Sequence, residues 1–337
     1  MSEPDAPPDP AHDPGVDAAR ARAEAAGVDD VRAVAAVDGG RILVGTAGWT
    51  DPTLTAPGVF YPDGVSSPEA RLRHYAERFS MVEVDSPFYA LPTAQMAQRW
   101  VERTPDDFVF DVKAHALMTG HPTEVKRLPG VLRAALPPEA AAKPRVYARD
   151  LPPEVLDAVW GGFVDAMAPL AAAGKLGAVL LQYPRWFVPG SRARDEILEA
   201  RRRLEGLPFS VELRSRRWFA AGTQEQTLRF LSDHDIPFVM VDEPQGLESS
   251  VPPIAAVTSA RLAIVRLHGR RGDQWERRGT TVAEKYRYLY DGAELDDWVP
   301  KVRATAKAAK ETHVVFNNCY GNYGTTNALE LTARLME

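Results

Sequence analysis

The sequence predicts a single (β/α)8 barrel. Three observations carry this: eight short apolar runs of strand length, helix-like segments between most of them, and runs that mostly stop at Gly, Pro or a polar cluster. Strand alternating with helix implies right-handed crossovers and a parallel sheet, and eight such units suit a closed barrel. An open doubly wound sheet is the competing architecture. No Gly-x-Gly-x-x-Gly turn follows the first strand, however, where GTAGW offers only Gly45 and Gly48.

Residues 1–40 open with MSEPDAPPDPAHDPGVD, acidic and proline-rich with few large apolar side chains. They are expected to form a mobile tail with one or two Ala-rich helical turns near 17–27. The stretch has neither the basic n-region nor the apolar run of a signal peptide. The barrel domain then spans 41–337. Its strands are RILVGTAGW (41–49), MVEVDSPFY (81–89), FVFDVKAH (108–115), GAVLLQYP (177–184), FSVELRS (209–215), FVMVDEP (238–244), LAIVRLHG (262–269) and HVVFNNCYG (313–321). Helical spacing marks SPEARLRHYAERF (67–79), TAQMAQRWVERT (93–104) and EQTLRFLSDH (225–234). Two connections break the rhythm. Residues 119–153, rich in proline and basic side chains, read as a long loop over the barrel mouth. Residues 245–260, QGLESSVPPIAAVTSA, contain a Pro-Pro break and make a poor helix.

With 45% hydrophobic and 26% charged residues, the chain has the balance of a soluble globular protein. Its net charge of -6 gives no general attraction to nucleic acid or anionic lipid, so any anion site is a local concentration of basic residues. The single cysteine, Cys319, excludes an internal disulfide and the paired spacings of structural zinc sites, and fits a reducing compartment. No run approaches the roughly 18–20 apolar residues that cross a bilayer. A cytoplasmic protein is expected, with no membrane contact and no obligate protein partner implied.

Strand alternation locates the chemistry. If Val82, Val84, Val112, Val211, Leu213, Val241, Val265, Leu267 and Phe316 face the helices, the opposite set faces the barrel axis. That set is Glu83, Asp85, Asp111, Lys113, His115, Gln182, Glu212, Arg214, Asp242, Arg266, His268 and Asn317. Most barrels fill this space with Val, Ile and Leu, and buried ions cost several kcal/mol each. A solvent-reachable pocket at the strand C-termini is the functional expectation; a self-neutralising lattice of ion pairs is the structural one. Beyond the strand ends stand Trp49, Trp186, Trp218 and Trp275 with Arg185, Arg214, Arg216, Arg217, Arg270, Arg271, Arg277 and Arg278. Guanidinium forks match phosphate or carboxylate, and indoles stack on bases or sugar rings.

GTAGW, FYP (60–62), YAERFSMVEVDSPFY (75–89), RWVERTPDDFVFDVK (99–113), LLQYP (180–184), VELRSRRW (211–218), VRLHGR (265–270) and FNNCYGNYGTTNA (316–328) resemble the signature blocks of the YecE-like family, domain of unknown function 72. The blocks occur in the family's order from about residue 42 to the C-terminus. The resemblance implies a TIM-barrel fold and no assigned reaction. A distant similarity of the family's barrel to those of endonuclease IV and the sugar isomerases implies a phosphate, nucleic-acid or sugar ligand. Where much of the family has Glu-x-Asn-x-Thr-Phe-Tyr, this chain has Glu83, Asp85, Pro87, Phe88 and Tyr89, which adds a carboxylate.

Three chemistries follow. In the first reading, the chain binds and hydrolyses a phosphate-bearing, nucleotide-like ligand without a resident cofactor. Glu212 and Asp242 are then the acid–base carboxylates and His268 a proton relay. Lys113, Arg214 and Arg266 hold the anion, Gln182 and Asn317 orient it, and Trp49 and Trp218 stack on it. Glu83, Asp85, Tyr89, His115 and Arg270 complete the lining. In the second, Glu212, Asp242 and His268 hold Mg²⁺ or Mn²⁺ in a sugar-phosphate enzyme, against competition from Arg214 and Arg266. In the third, the arginines and tryptophans bind nucleic acid without chemistry. Cys319 reads as a small packed residue rather than a nucleophile.

Overall fold

The computed structural model describes residues 9–28, 40–277 and 279–337, with the backbone of 34–35. Eight strands form one parallel sheet: β1 (Arg41–Ala47), β2 (Met81–Val84), β3 (Val109–Lys113), β4 (Leu176–Tyr183), β5 (Phe209–Leu213), β6 (Val239–Asp242), β7 (Leu262–Leu267) and β8 (Glu311–Phe316). Their order is β5-β4-β3-β2-β1-β8-β7-β6, and a parallel bridge from Val211 to Phe238 sets β5 beside the residue preceding β6. The fold is the (β/α)8 barrel that the strand count predicts.

An N-terminal helix, α1 (Pro14–Ala25), precedes the barrel. Helices then follow seven of the eight strands: α2 (Pro68–Arg78), α3 (Ala94–Glu102), α4 (Pro153–Ala172), α5 (Ser191–Arg203), α6 (Gln224–Asp233), α7 (Gly292–Ala308) and α8 (Tyr323–Met336). Several start on caps that satisfy first-turn N–H groups: Ser67 accepts from Ala70, Thr93 from Met96 and Asp291 from Glu294. After β6 the chain runs from Glu243 to Arg261 without a helix, in keeping with the Pro252–Pro253 break.

The chain divides into two compact units, Met1–Val82 with Met240–Glu337, and Glu83–Val239. In the first, β7 and β8 align Val265 with Val314, Arg266 with Val315 and Leu267 with Phe316, and β8 aligns Val315 with Gly45 of β1. Gly45 is required by proximity, because a Cβ there would stand 2.3 Å from the Met81 carbonyl oxygen. The expected mobile tail gives way over residues 9–28, while the rest of that expectation lies outside the described residues. Asp13 caps α1 and, though buried, accepts from Gly15 N (2.9 Å), Tyr320 Oη (2.8 Å) and Arg287 Nη2 (2.7 Å). Val16 and Ala19 are buried in a small core with Val59, Tyr320 and Tyr323. Two small apolar side chains and one well-placed carboxylate thus supply the docking that composition hides.

In Glu83–Val239, β4 and β5 align Gln182 with Glu212, and β3 and β4 align Lys113 with Leu180. Lys175 is buried and donates its ammonium to the Val101 and Thr104 carbonyls (2.9 and 2.8 Å), closing the C-terminal end of α3. α4 is long and apolar enough to cross a membrane by length and composition, contrary to the sequence expectation. Its stripe of Val155, Val159, Trp160, Phe163, Met167 and Leu170 is buried in this unit, which explains its hydropathy as that of a barrel-wall helix. Residues 119–153 are pinned by a two-stranded antiparallel ladder, Thr123–Glu124 against Arg145–Val146.

Candidate functional site

Residues Glu83–Val239 bring a lysine into a row of rings. The chain leaves β2 through a single helical turn, Ser86–Tyr89, which presents Phe88 and Tyr89 edge to face at 5.2 Å. Lys113, the last residue of β3, holds its ammonium 4.6 Å from the Phe88 ring centroid and 3.5 Å from Asp85 Oδ1. His121 lies edge-on to Phe88 at 5.1 Å and to Trp186 at 5.7 Å. The row Tyr89–Phe88–His121–Trp186 is therefore continuous, with Lys113 over its centre. Tyr89 is 48% exposed and Trp186 60% exposed, whereas the Lys113 side chain is 13% exposed. Burial, and secondarily the charge of Lys113, pushes His121 down to about 4, so it is neutral at pH 7.

At the β4 and β5 ends, Glu212 accepts from Gln182 Nε2 at 2.9 Å and from Arg214 Nη1 at 3.1 Å, both on the same Oε1. His115 is buried and its Nδ1 accepts from Leu117 N at 3.4 Å, at the long end of such contacts, capping a 3-10 turn. Burial pushes His115 down to about 4. Glu83 and Asp111 are buried as well.

In the other unit, Asp242 is the hub. Arg270 Nε donates to Asp242 Oδ2 at 2.9 Å and Arg270 Nη2 to Oδ1 at 3.0 Å, a bidentate fork. Tyr290 Oη donates to Asp242 Oδ2 at 2.6 Å and accepts from Gly269 N at 2.8 Å. Gly269 has φ +83°, and a Cβ there would stand 2.6 Å from Tyr288 Cβ, so the turn after β7 requires glycine. Arg270 also reaches Glu294 Oε1 (3.2 Å), which accepts from Tyr288 Oη at 2.6 Å. Burial and then the Asp242 charge hold the Tyr290 hydroxyl well above its usual range. Burial works against the charge of Arg270, but Asp242 outweighs it and raises its pKa. Asn317 Nδ2 lies 2.8 Å from His268 Nδ1, and Asn318 Nδ2 donates to Tyr288 O and Asn327 Oδ1.

Several expected roles meet their physical limits here. Trp218 is 0% exposed, donates Nε1–H to Phe187 O at 2.7 Å and stacks on Phe187, so it offers no face to a ligand. Trp49 is likewise buried, with its carbonyl accepting from Tyr61 Oη. Glu212, Asp242, Arg266 and His268 are all buried, so none of the four presents the solvent-facing side chain that the expectation gave it. Arg270 spends its donors on Asp242 and Glu294. Among the described residues, no three His, Cys, Asp or Glu side chains are grouped to hold a metal ion. Arg278 lies outside the described residues. Sequence reasoning named Phe88 without a site role and passed over His121, Tyr290 and Glu294; the strand-end signal for the first two was the SPFY turn and the Gly120–His121 corner.

The matches to other proteins fall on these same segments. A family model described as protein of unknown function DUF72 matches residues 43–337. The chain belongs to the DUF72 family. UPF0759 protein YunF of Bacillus subtilis (strain 168) is 30% identical over 293 residues, 86% of this chain and 93% of YunF. UPF0759 protein YecE of Escherichia coli (strain K12) is 29% identical over 225 residues, 65% of each chain. The crystal structure of a DUF72 family protein from Thermotoga maritima MSB8 superposes with a TM-score of 0.66 at 29% identity, covering 88% of this chain and 99% of that one. The aromatic row, Lys113 and the Asp242 hub all lie within the DUF72 span, while α1 precedes it.

Proposed function

We propose that this DUF72 protein binds a phosphate-bearing ligand with a flat ring, such as a nucleotide or a fragment of nucleic acid, and does so in the cytoplasm. The observation that carries this reading is the Tyr89–Phe88–His121–Trp186 row with the Lys113 ammonium over its centre. The ammonium is a compact charge that a phosphate oxygen meets favourably, and its contact with Asp85 is long enough at 3.5 Å to yield to a stronger anion. Exposed Tyr89 and Trp186 supply faces for stacking, worth about 1–3 kcal/mol per base. Neutral His121 adds no charge and leaves Lys113 as the main attractor. Gln182, Glu212 and Arg214 then form an oriented polar wall.

Acid–base chemistry on a phosphate ester, carried within the unit Met1–Val82 with Met240–Glu337, is the second reading, favoured by the Asn317–His268 contact. With the amide nitrogen donating to Nδ1, the imidazole carries its proton on Nε2, where a proton-transfer role needs it. Asp242 serves in this reading as the anchor of Arg270 rather than as a base, because both its oxygens already accept hydrogen bonds.

A thermal-shift screen of nucleotides, sugar phosphates, short oligonucleotides, Mg²⁺ and Mn²⁺ tests the binding reading, with Lys113→Met as control. A ligand at a hundred times its dissociation constant stabilises the folded state by about 2.7 kcal/mol. The expected result is a shift with a phosphate compound that Lys113→Met abolishes. Equal shifts in both proteins, or shifts with metal alone, would overturn it.

A further inference from the structure

A second ligand site is carried by the cleft between α4, α5 and the inserted segment. The cleft has a volume of about 500 Å³ and draws its walls from Leu117, Met118, Tyr147, Leu156, Trp160 and Tyr183. None of these residues belongs to the aromatic row around Lys113. Its floor is apolar, since Leu117, Met118, Trp160 and Tyr183 are buried. One polar group there is unanswered: the Tyr183 hydroxyl is buried and has no hydrogen-bond partner among the described residues. Burial, with the nearby Glu196 charge, raises its pKa, so the group stays protonated and is available as a donor.

The charges around the cleft cancel. Arg149, Arg192 and Arg203 line it together with Asp195, Glu196 and Glu199. Arg192 binds Glu196 at 3.0 Å and Arg203 binds Glu199 at 2.7 Å, leaving Arg149 stacked 4.4 Å over Tyr147. A balanced rim gives no preference for an ion, while an apolar floor penalises one. We propose that this cleft binds an uncharged aromatic or heteroaromatic small molecule whose carbonyl or ring acceptor takes the Tyr183 hydroxyl and whose ring lies against Trp160 and Tyr147. Pockets of this size, with an apolar floor and a few polar groups to fix orientation, are ordinary small-molecule sites.

The test uses benzamide as probe, with benzoate and benzylamine as charged controls, measured by ligand-observed NMR titration on the full chain. Benzamide is expected to bind saturably and more tightly than either control. Tyr183→Phe should weaken it roughly 3–10-fold, the net value of one hydrogen bond. Ala148→Trp, which fills the cleft from its rim, should abolish it. Without ligand, Tyr183→Phe should melt no lower than the parent, because the hydroxyl removed has no partner among the described residues. The proposal fails if benzamide does not saturate, if Ala148→Trp leaves its affinity unchanged, or if Tyr183→Phe lowers the melting temperature and leaves benzamide affinity intact.

Discussion

His115 and His121 make the fold sensitive to acid. Both are pushed down to about 4, His115 by burial and His121 by burial and then by Lys113. An unfolded histidine titrates near 6.5, so between about pH 6.5 and 4 the unfolded chain binds more protons than the folded one. The stability these rings contribute is full above pH 6.5, falls as pH drops towards 4, and is not lost further below. For His115 the loss is on the order of 3 kcal/mol. His115→Asn keeps a side-chain acceptor for Leu117 N and removes the titration, so its urea midpoint should fall less steeply between pH 6.5 and 4.5. An unchanged slope would contradict the assignment. Asp242 offers a second residue-scale prediction. Asp242→Asn breaks the fork to Arg270 and should cost roughly 2–4 kcal/mol in denaturant unfolding. A variant of unchanged stability would return Asp242 to the role of a free acid–base carboxylate. Strand alternation already placed Gln182 with Glu212 and His268 with Asn317 on one face, because side-chain direction is fixed by a period of two. Depth was not legible. Whether Trp218 meets a ligand or Phe187 depends on the chain that packs over it, and no local pattern reports that.

At the level of elements, all eight strands were legible, since β-branched runs ending at Gly or Pro are local signals. The helix after β6 was rightly doubted on Pro252 and Pro253. The Ala-rich helical turns expected near 17–27 form α1, but its docking escaped notice because only Val16 and Ala19 of its residues are buried, and its anchors are distant. Arg22 forms a two-point contact with Glu330 at 2.9 and 2.7 Å, and Asn322 Nδ2 donates to Val16 O at 3.1 Å. Asp13 is the hinge pin of this docking. Asp13→Ala removes a cap worth about 0.5–2 kcal/mol and a charge-assisted bond to Arg287 worth about 1.5–3 kcal/mol. It should release α1 to limited proteolysis between Arg20 and Arg22 before the barrel is cut. Simultaneous cutting of helix and barrel, or no change in cleavage, would show that Asp13 does not hold α1 down.

For the whole molecule, a net charge of -6 means that anion binding has no help from the long-range field and rests on a few local cations. Family membership and barrel architecture agree with the sequence blocks, yet neither selects a ligand, because one barrel scaffold hosts many chemistries. The central claim, that Lys113 in its aromatic row is an anion site, makes a specific salt signature. Equilibrium titration of a short oligothymidylate over a range of KCl concentrations, with the parent and Lys113→Met side by side, reads it directly. One or two neutralised phosphates predict a slope of log affinity against log salt near -1, flattened towards zero and with weaker binding in Lys113→Met. Affinity and slope identical in the two proteins, or no binding by the parent at the lowest salt, would contradict the claim.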